Sequence, residues 1–495
     1  MDRRVFGIET EFGCLVRDPA AGTAEEVVER VKDYAFYRKR IGAIDLHARN
    51  YAFEPARSGG FLVNGGRLYV DAVGSHEEYA TPECRSIFEA VCWDKAGQRL
   101  LQNLVDDLGL REAVSFHNNS VDHFGGHTFG CHENYLVSTD ELYQGESLAR
   151  LIPFLVTRQI FAGAGRVGGH RLNRHDSRHN VMRLGDHDVD TMWVDDFYGV
   201  EIDDSVDYQL SQRADHIVNL VSSRVRFNRA LINPRRDSYF DFTGLSRLHL
   251  LFGEANMSEY AAALKLGTTC LALSLIEMRC IPEGVLLADP LAALREVSRD
   301  PDWRWLVTRE DGATLSAIDL QRHYLAAAQH FLRGRDEETD WVIREWESVL
   351  DLLEKEPLAL ADRLDWVAKW RLLQTYIAAE AVGWDADVLH SLDLEYHDID
   401  PEHGLYHALV EEGAMRRLLT DEEIGHAMEA PPANTRALGR GRVVRELVSR
   451  RMRHYAIDWD AIYVGAEQPL ELTDPFHTYA EEAEQFLAGI SKIGR

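Results

Sequence analysis

The chain is short of cysteine, of basic charge and of long apolar runs, and each shortage removes a class of protein from consideration. Its six cysteines (Cys14, Cys84, Cys92, Cys131, Cys270 and Cys280) fall in no C-x-x-C pair. That usage fits reduced thiols, not a disulfide framework. No run of about 18 apolar residues is present, so no membrane span is expected. The longest apolar stretch, around Leu264 to Ile276, carries Lys265 and reads as a buried helix. The opening MDRRVFGIETEFG turns straight into a strand-like pattern without the apolar segment of a signal peptide, which makes a cytoplasmic protein the expectation. Lys and Arg total 54 against 82 Asp and Glu, a net charge of −28, which argues against wrapping the phosphates of nucleic acid.

Several catalytic signatures are missing as well. There is no Walker A sequence and no G-x-S-x-G elbow. His132-Glu133 begins like the zinc motif H-E-x-x-H, but Leu136 stands where the second histidine belongs. Gly163-Ala164-Gly165-Arg166-Val167-Gly168 matches G-x-G-x-x-G, yet a polar stretch follows instead of an apolar helix, which speaks against a dinucleotide site. His170, His175, His179 and His187 have no cysteine or closely spaced carboxylate to complete a zinc site.

What is present is a set of alternating segments. Phe61-Leu62-Val63, Asn64-Gly65 and Gly66-Arg67-Leu68-Tyr69-Val70-Asp71 read as a hairpin with a two-residue turn. A helix is expected from about Ser86, stopping at Gly109, and others from Ser258 and Thr339. In the last, Val342, Trp346, Val349, Leu350 and Leu353 mark one helical face. Residues 168 to 207 read as a polar insertion, His-rich and then acidic. A softer boundary lies near 400, and Pro431-Pro432 separates helices in the tail.

Side chains alternate along a strand, so Glu9 and Glu11 share a face, as do Arg67, Tyr69 and Asp71, and again Arg247 and His249. Carboxylates are hard oxygen ligands for Mg²⁺, and an arginine fork neutralises phosphate oxygens. Glu78 and Glu83 follow the hairpin, and His132 and Glu133 sit on a short strand after Gly125-Gly126.

These residues resemble a known family: the ligase and the depupylase (deamidase) of the prokaryotic ubiquitin-like protein Pup, relatives of glutamine synthetase and the γ-glutamyl–cysteine ligases. The resemblance runs through GIETEFG (7–13), NGGRLYVD (64–71), SHEEYATPEC (75–84), GCHENYL (130–136), PFLVTRQ (153–159), LSQRADHI (210–217), SRLHLLFGEANMSE (246–259), DLEYHDI (393–399) and PPANTR (431–436), in matching order. It implies an α+β fold, a glutamine-synthetase-like curved, mainly antiparallel sheet backed by helices with a small C-terminal domain. On this sequence the expected division is 1–400, with the insertion at about 168–207, and 401–495.

The resemblance further implies Mg²⁺ at Glu9, Tyr69 and Glu78, ATP contacts at Arg67, Thr81 and Trp459, and Asp71 as the catalytic aspartate. Glu11, His132, Glu133, Arg235, Arg247 and His249 are secondary candidates. The expected activity is an ATP- and Mg-dependent ligase. It joins the side-chain carboxylate of the C-terminal Glu of a Pup-like protein to lysines of substrate proteins through a glutamyl phosphate. The family alternative is a depupylase or deamidase that hydrolyses that amide. GIETEFG, GSHEEYAT and YHDI favour the ligase, while LYVD, CWDKAG (92–97), GAGRVG, LKLGTT (264–269) and MRRL (415–418) lean to the depupylase. Two readings of other kinds are a small-molecule γ-glutamyl ligase and a non-catalytic scaffold. The run after Ile232-Asn233 departs from the family pattern, as does the Asp71-to-Glu78 spacing. No nucleic acid or membrane partner is expected.

Overall fold

Alternating segments near the N-terminus become strands, and the capped apolar stretches between them become the helices that cover one side. A computed structural model describes residues 4–46, 57–71, 76–123, 126–138, 142, 147–173, 199–222, 229–235, 244–465 and 468–490. The chain divides into two units, Asn118–Leu418 and Asp2–His117 joined by Leu419–Arg495.

In the unit holding both chain ends, the first elements are β1 (Phe6–Val16), α1 (Ala24–Asp33), β2 (Gly42–Ile44), β3 (Gly59–Leu62), β4 (Arg67–Asp71), β5 (His76–Ala80), α2 (Ile87–Asp107) and β6 (Val114–His117). Strands run β1-β5-β4-β3-β2, antiparallel at every step, and β6 pairs antiparallel with the end of β1. The helices start where short polar side chains can take up free amides. Thr23 and Glu26 form a capping box at α1, and the Ser86 hydroxyl accepts the Glu89 amide at α2. Both helices pack on the sheet, and Ile8, Phe12, Leu68 and Tyr79 are buried there. Thr10 donates to Asp94 of α2 at 2.8 Å. Gly97 of α2 lets Tyr79 approach, since a Cβ there would lie 2.1 Å from the ring.

The β3–β4 hairpin forms, but its turn differs from the expected two-residue form. Phe61 stands opposite Arg67, and the Gly65 amide bonds the Leu62 carbonyl at 3.0 Å, so Val63-Asn64-Gly65 is a three-residue loop. Gly65 takes the left-handed position at φ +83°, where a side chain is strained. Asn64 fixes the loop: its Oδ1 accepts the Gly66 amide, and its Nδ2 donates to the Tyr79 hydroxyl and the Ala427 carbonyl, each at 3.0 Å. These cross-links select the longer loop.

The C-terminal segment of this unit holds helices Asp421–Glu429 and Ala437–Ser449, either side of Pro431-Pro432, a three-stranded sheet over 455–471 and helix Ala480–Ile490. Val443, Val444, Leu447, Ile457, Ile462 and Leu472 pack with Ala43 and Phe61 in one apolar core.

The unit Asn118–Leu418 contains β7 (Cys131–Ser138), α3 (Ser147–Thr157), β8 (Arg166–Asn173), β9 (Gly199–Gln209), β10 (Asn219–Val221), β11 (Ala230–Arg235), β12 (Leu245–Leu250), α4 (Glu259–Glu277), α5 (Pro290–Arg299), α6 (Ala317–Phe331), α7 (Glu337–Lys355), α8 (Asp365–Glu380) and α9 (Asp387–Tyr396). Strands β10-β11-β12-β7 pair in that order, parallel only between β10 and β11. Helix α4, capped by Ser258, is apolar all round and 94% buried. Its length and composition would suit a membrane, but here it is a core helix, with Lys265 inside it. The expected apolar face of α7 is also buried. β8 and β9 pair antiparallel, so the ends of the expected insertion form a two-stranded arm, and residues 174–198 lie outside those described. The G-x-G-x-x-G run leads into β8 instead of a helix. His170, on β8, has one ring nitrogen 2.9 Å from the His123 carbonyl and the other 3.1 Å from His216. His175, His179 and His187 are outside the described residues.

Candidate active site

Residues directly opposite each other on neighbouring strands present their side chains to the same side of a sheet. The register therefore merges two rows that the sequence shows separately. Glu11 stands opposite Glu78, and Glu78 opposite Tyr69, one row across β1, β5 and β4. One step along, Glu9 and Arg67 both face Ala80, and Arg67 faces Phe61. One step the other way, Asp71 faces His76. Glu9, Glu11, Arg67, Tyr69, Asp71 and Glu78 thus occupy one face, the side away from the buried Ile8, Phe12, Leu68 and Tyr79.

The electrostatics of this face are those of crowded acids. The carboxyl of Glu78, 4% exposed, is pushed well above the usual range by burial, then by the charges of Glu11, Glu9 and Asp71. The Tyr69 phenol, hydrogen-bonded to Glu78, is pushed up by burial and by Glu78 and Glu9. His76 Nδ1 lies 3.3 Å from Glu11 Oε2. Glu9, Glu78 and Tyr69 put oxygen donors on this face, the chemistry that suits Mg²⁺. A divalent cation among them would reverse the repulsion that burdens Glu78. The residues present therefore fit the ion.

Beside the acids lies a basic and aromatic end. The Arg67 guanidinium, 4% exposed, sits 4.2 Å from the Tyr69 ring centroid and 5.9 Å from that of Phe61. Phe61 packs edge-on against Trp459 with centroids 5.1 Å apart. Thr81 closes the strand: its hydroxyl accepts the Ile8 amide at 3.0 Å and its own amide bonds the Ile8 carbonyl at 2.9 Å. Thr81, Arg67 and Trp459, distant in sequence, belong to the same unit as the acidic face.

The secondary candidates divide. In the other unit, His132 and His249 are on adjacent strands with ring centroids 4.9 Å apart. Arg247 donates to Asn134 Oδ1 at 2.8 Å. These three candidates share one face of β7 and β12. Glu133 does not join it. Pointing to the opposite side and fully buried, it takes two hydrogen bonds from Arg158 and one at 2.6 Å from the Tyr135 hydroxyl. Burial would raise its pKa, but Arg158 and Lys265 outweigh this and hold it below the ordinary value. Glu133 is thus the partner of Arg158 in a buried ion pair, on the face away from His132, Arg247 and His249. Arg235 stands opposite Arg247 at the end of β11, and its side chain lies outside the described residues.

Sequence reasoning missed His76, although the alternation of His76-Glu77-Glu78 would have placed it beside Glu78. It noted Glu83 without seeing that Arg436 and Arg440 clamp it. Burial alone would raise this carboxyl, but the two arginines pull its pKa down to about 2. No local pattern marks Arg440, which is 357 residues away in the chain.

Comparison with known proteins bears on this geometry. Residues 4–463 match the family described as Pup-ligase protein. The chain is 34% identical over 505 aligned positions to a Pup–protein ligase of Nocardioides sp., covering 99% of this chain and 100% of that protein. It is 35% identical over 491 positions to a depupylase of Acidothermus cellulolyticus, covering 93% and 90% respectively. The solved complex between Pup and its ligase PafA superposes with a TM-score of 0.79 at 31% identity, over 99% of this chain and 92% of that one. PafA in complex with ADP gives 0.73 at 31% identity, over 92% and 93%.

Proposed function

This chain belongs to the Pup-ligase family, and on that premise we propose that it is an ATP-dependent carboxylate–amine ligase joining the C-terminal glutamate of a Pup-like protein to substrate lysines. The observation that carries the reading is the single face on which Glu9, Glu11, Glu78 and Tyr69 meet Arg67 and Asp71.

A carboxylate is a poor electrophile, and phosphorylation makes it a good one. An oxygen of the glutamate side chain attacks the γ-phosphorus of ATP, the bond to ADP breaks, and a glutamyl phosphate results. Magnesium held by Glu9, Tyr69 and Glu78 would supply positive charge to the phosphate oxygens when bound. Arg67 adds a second positive group, and two rings restrict how its fork can turn. The lysine nitrogen then attacks the acyl carbon, and inorganic phosphate leaves. Free lysine has a pKa near 10.4, so presenting it neutral at pH 7 costs roughly 4–5 kcal/mol. Asp71, at the end of the Arg67–Tyr69–Asp71 row, takes the ammonium proton. Trp459, partly exposed where it packs on the buried Phe61, offers the aromatic surface for the base of ATP.

The 35% identity to a depupylase supports a second reading, hydrolysis of the same amide with Asp71 activating water or attacking directly. Six cysteines outside any disulfide support a reducing, cytoplasmic setting. The test supplies Mg·ATP with either a Glu-ending Pup tail plus a lysine donor, or a tail already joined to lysine. A mass gain in the first is expected. Release from the second without any ligation overturns the ligase reading in favour of the hydrolase. Asp71→Asn should lower ligation at least a hundredfold while ATP binding persists, and unchanged turnover would remove Asp71 from the mechanism.

A further inference from the structure

Arg440 is fully buried in helix Ala437–Ser449 and spends its whole guanidinium on the three segments that meet at the nucleotide end of the site. Its Nη2 donates to the Gly65 carbonyl at 2.9 Å, and its Nε reaches the same oxygen at 3.3 Å. Gly65 closes the loop from which β4 carries Arg67. Arg440 Nη1 donates to the Trp459 carbonyl at 2.9 Å and to Glu83 Oε1 at 3.1 Å, and Nη2 also holds Glu83 Oε2. Glu83 lies two residues beyond Thr81. The same guanidinium stacks 4.8 Å from the Trp459 ring centroid and 5.4 Å from that of Phe61.

Arg436 braces the arrangement from one turn away. Its Nε donates to Glu83 Oε1 at 2.6 Å, and its Nη1 to the Leu472 carbonyl at 3.0 Å. Glu83 is therefore held from two sides, and Arg440 cannot follow it elsewhere. A lysine could keep the charge opposite Glu83, but a single ammonium lacks the planar fork that reaches Gly65, Trp459 and Glu83 together.

We propose that Arg440 is a positioning residue of the nucleotide site, fixing Trp459 against Phe61 and in register with Arg67 and Thr81. The inference rests on the proposal that Trp459, Arg67 and Thr81 contact ATP. Arg440 touches no reacting atom and acts through Trp459, so its replacement should alter ATP affinity more than the chemical step.

The test is steady-state ligation by the full chain carrying Arg440→Lys, Trp459→Ala or both. Loss of one charge-assisted hydrogen bond corresponds to about tenfold to a hundredfold. Arg440→Lys should therefore raise KM for ATP at least about tenfold, with the KM for the Pup tail unchanged and kcat at saturating ATP nearly retained. In the Trp459→Ala background the same substitution should add little, because the group it positions is gone. A fall in kcat with unchanged ATP KM, the mark of a merely loosened fold, would overturn the inference. So would an equal effect in both backgrounds. If Trp459→Ala leaves ATP KM unchanged, the nucleotide reading itself fails and takes the inference with it.

Discussion

Replacing Glu133 by glutamine should weaken the fold and leave the chemistry of the folded molecules intact. The carboxylate is fully buried and receives two hydrogen bonds from Arg158, whose Nη1 also reaches Thr269 Oγ1 at 2.6 Å. Glutamine keeps the shape but removes the charge, stranding a guanidinium that is 2% exposed. Removing one partner of a buried pair costs about 3–5 kcal/mol. The pKa of Glu133 is held below its ordinary value, so its contribution is fully present above the unfolded pKa, near 4.5. That contribution is lost as pH falls through the folded value. Urea midpoints of wild type and Glu133→Gln should therefore lie far apart at pH 7 and converge under acid conditions. A double variant, Glu133→Met with Arg158→Met, should recover much of the loss, since paired apolar replacement of a buried ion pair is often close to neutral. Unfolding would be followed by tryptophan fluorescence and circular dichroism, with ligation assayed on the folded fraction. An unchanged midpoint together with lost turnover would refute the reasoning and return Glu133 to the chemistry.

Glu78 should behave oppositely. Its pKa is raised, so without divalent ions its cost to stability grows as pH rises from about 4.5 through the folded value. In metal-free buffer Glu78→Gln should raise the urea midpoint at pH 7–8 and lose that advantage below pH 4.5; a lower midpoint at pH 8 would contradict the crowding of the face. On the proposal that Glu78 is a magnesium ligand, its raised pKa makes protons compete with the cation, so the Mg²⁺ concentration for half-maximal wild-type activity should rise as pH falls, measured by titration at several pH values. A flat profile would count against Glu78 as a ligand. Gly65→Ala places a Cβ at φ +83°, 3.1 Å from both Ala437 and Pro431 Cβ atoms. It should cost about 1–2 kcal/mol from the left-handed backbone alone, read as a drop in the urea midpoint, and a neutral result would show that the loop can reshape.

Much of this protein could be read along the chain because its local signals are strong. Period-two alternation placed Glu9 with Glu11 and Arg67 with Tyr69 and Asp71, and the strands β1 and β4 follow it. Caps and apolar spacing located α2, α4 and α7, where Ser86, Ser258 and the Val342–Leu353 face do what such residues do in any helix. The order of the motifs identified the family. The hairpin was legible as a hairpin but not in its turn, because Asn64 bonds Tyr79 and Ala427, groups no neighbour in sequence announces.

Tertiary structure alone decided which rows merge. Register is set by pairing between strands, so only the fold could bring Glu78 between Glu11 and Tyr69. The face on which a charge lies also depends on what covers it: Glu133 and His132 are neighbours in sequence, yet one is paired with Arg158 and the other stands beside His249. Arg440 is the extreme case. No local pattern marks it in the sequence, and only the segments it meets, at Gly65, Glu83 and Trp459, turn it into a buried post between them. Residue type and spacing determine what a segment can offer, because alternation and capping are local. Long-range pairing determines where the offer is made, because the partners come from distant parts of the chain.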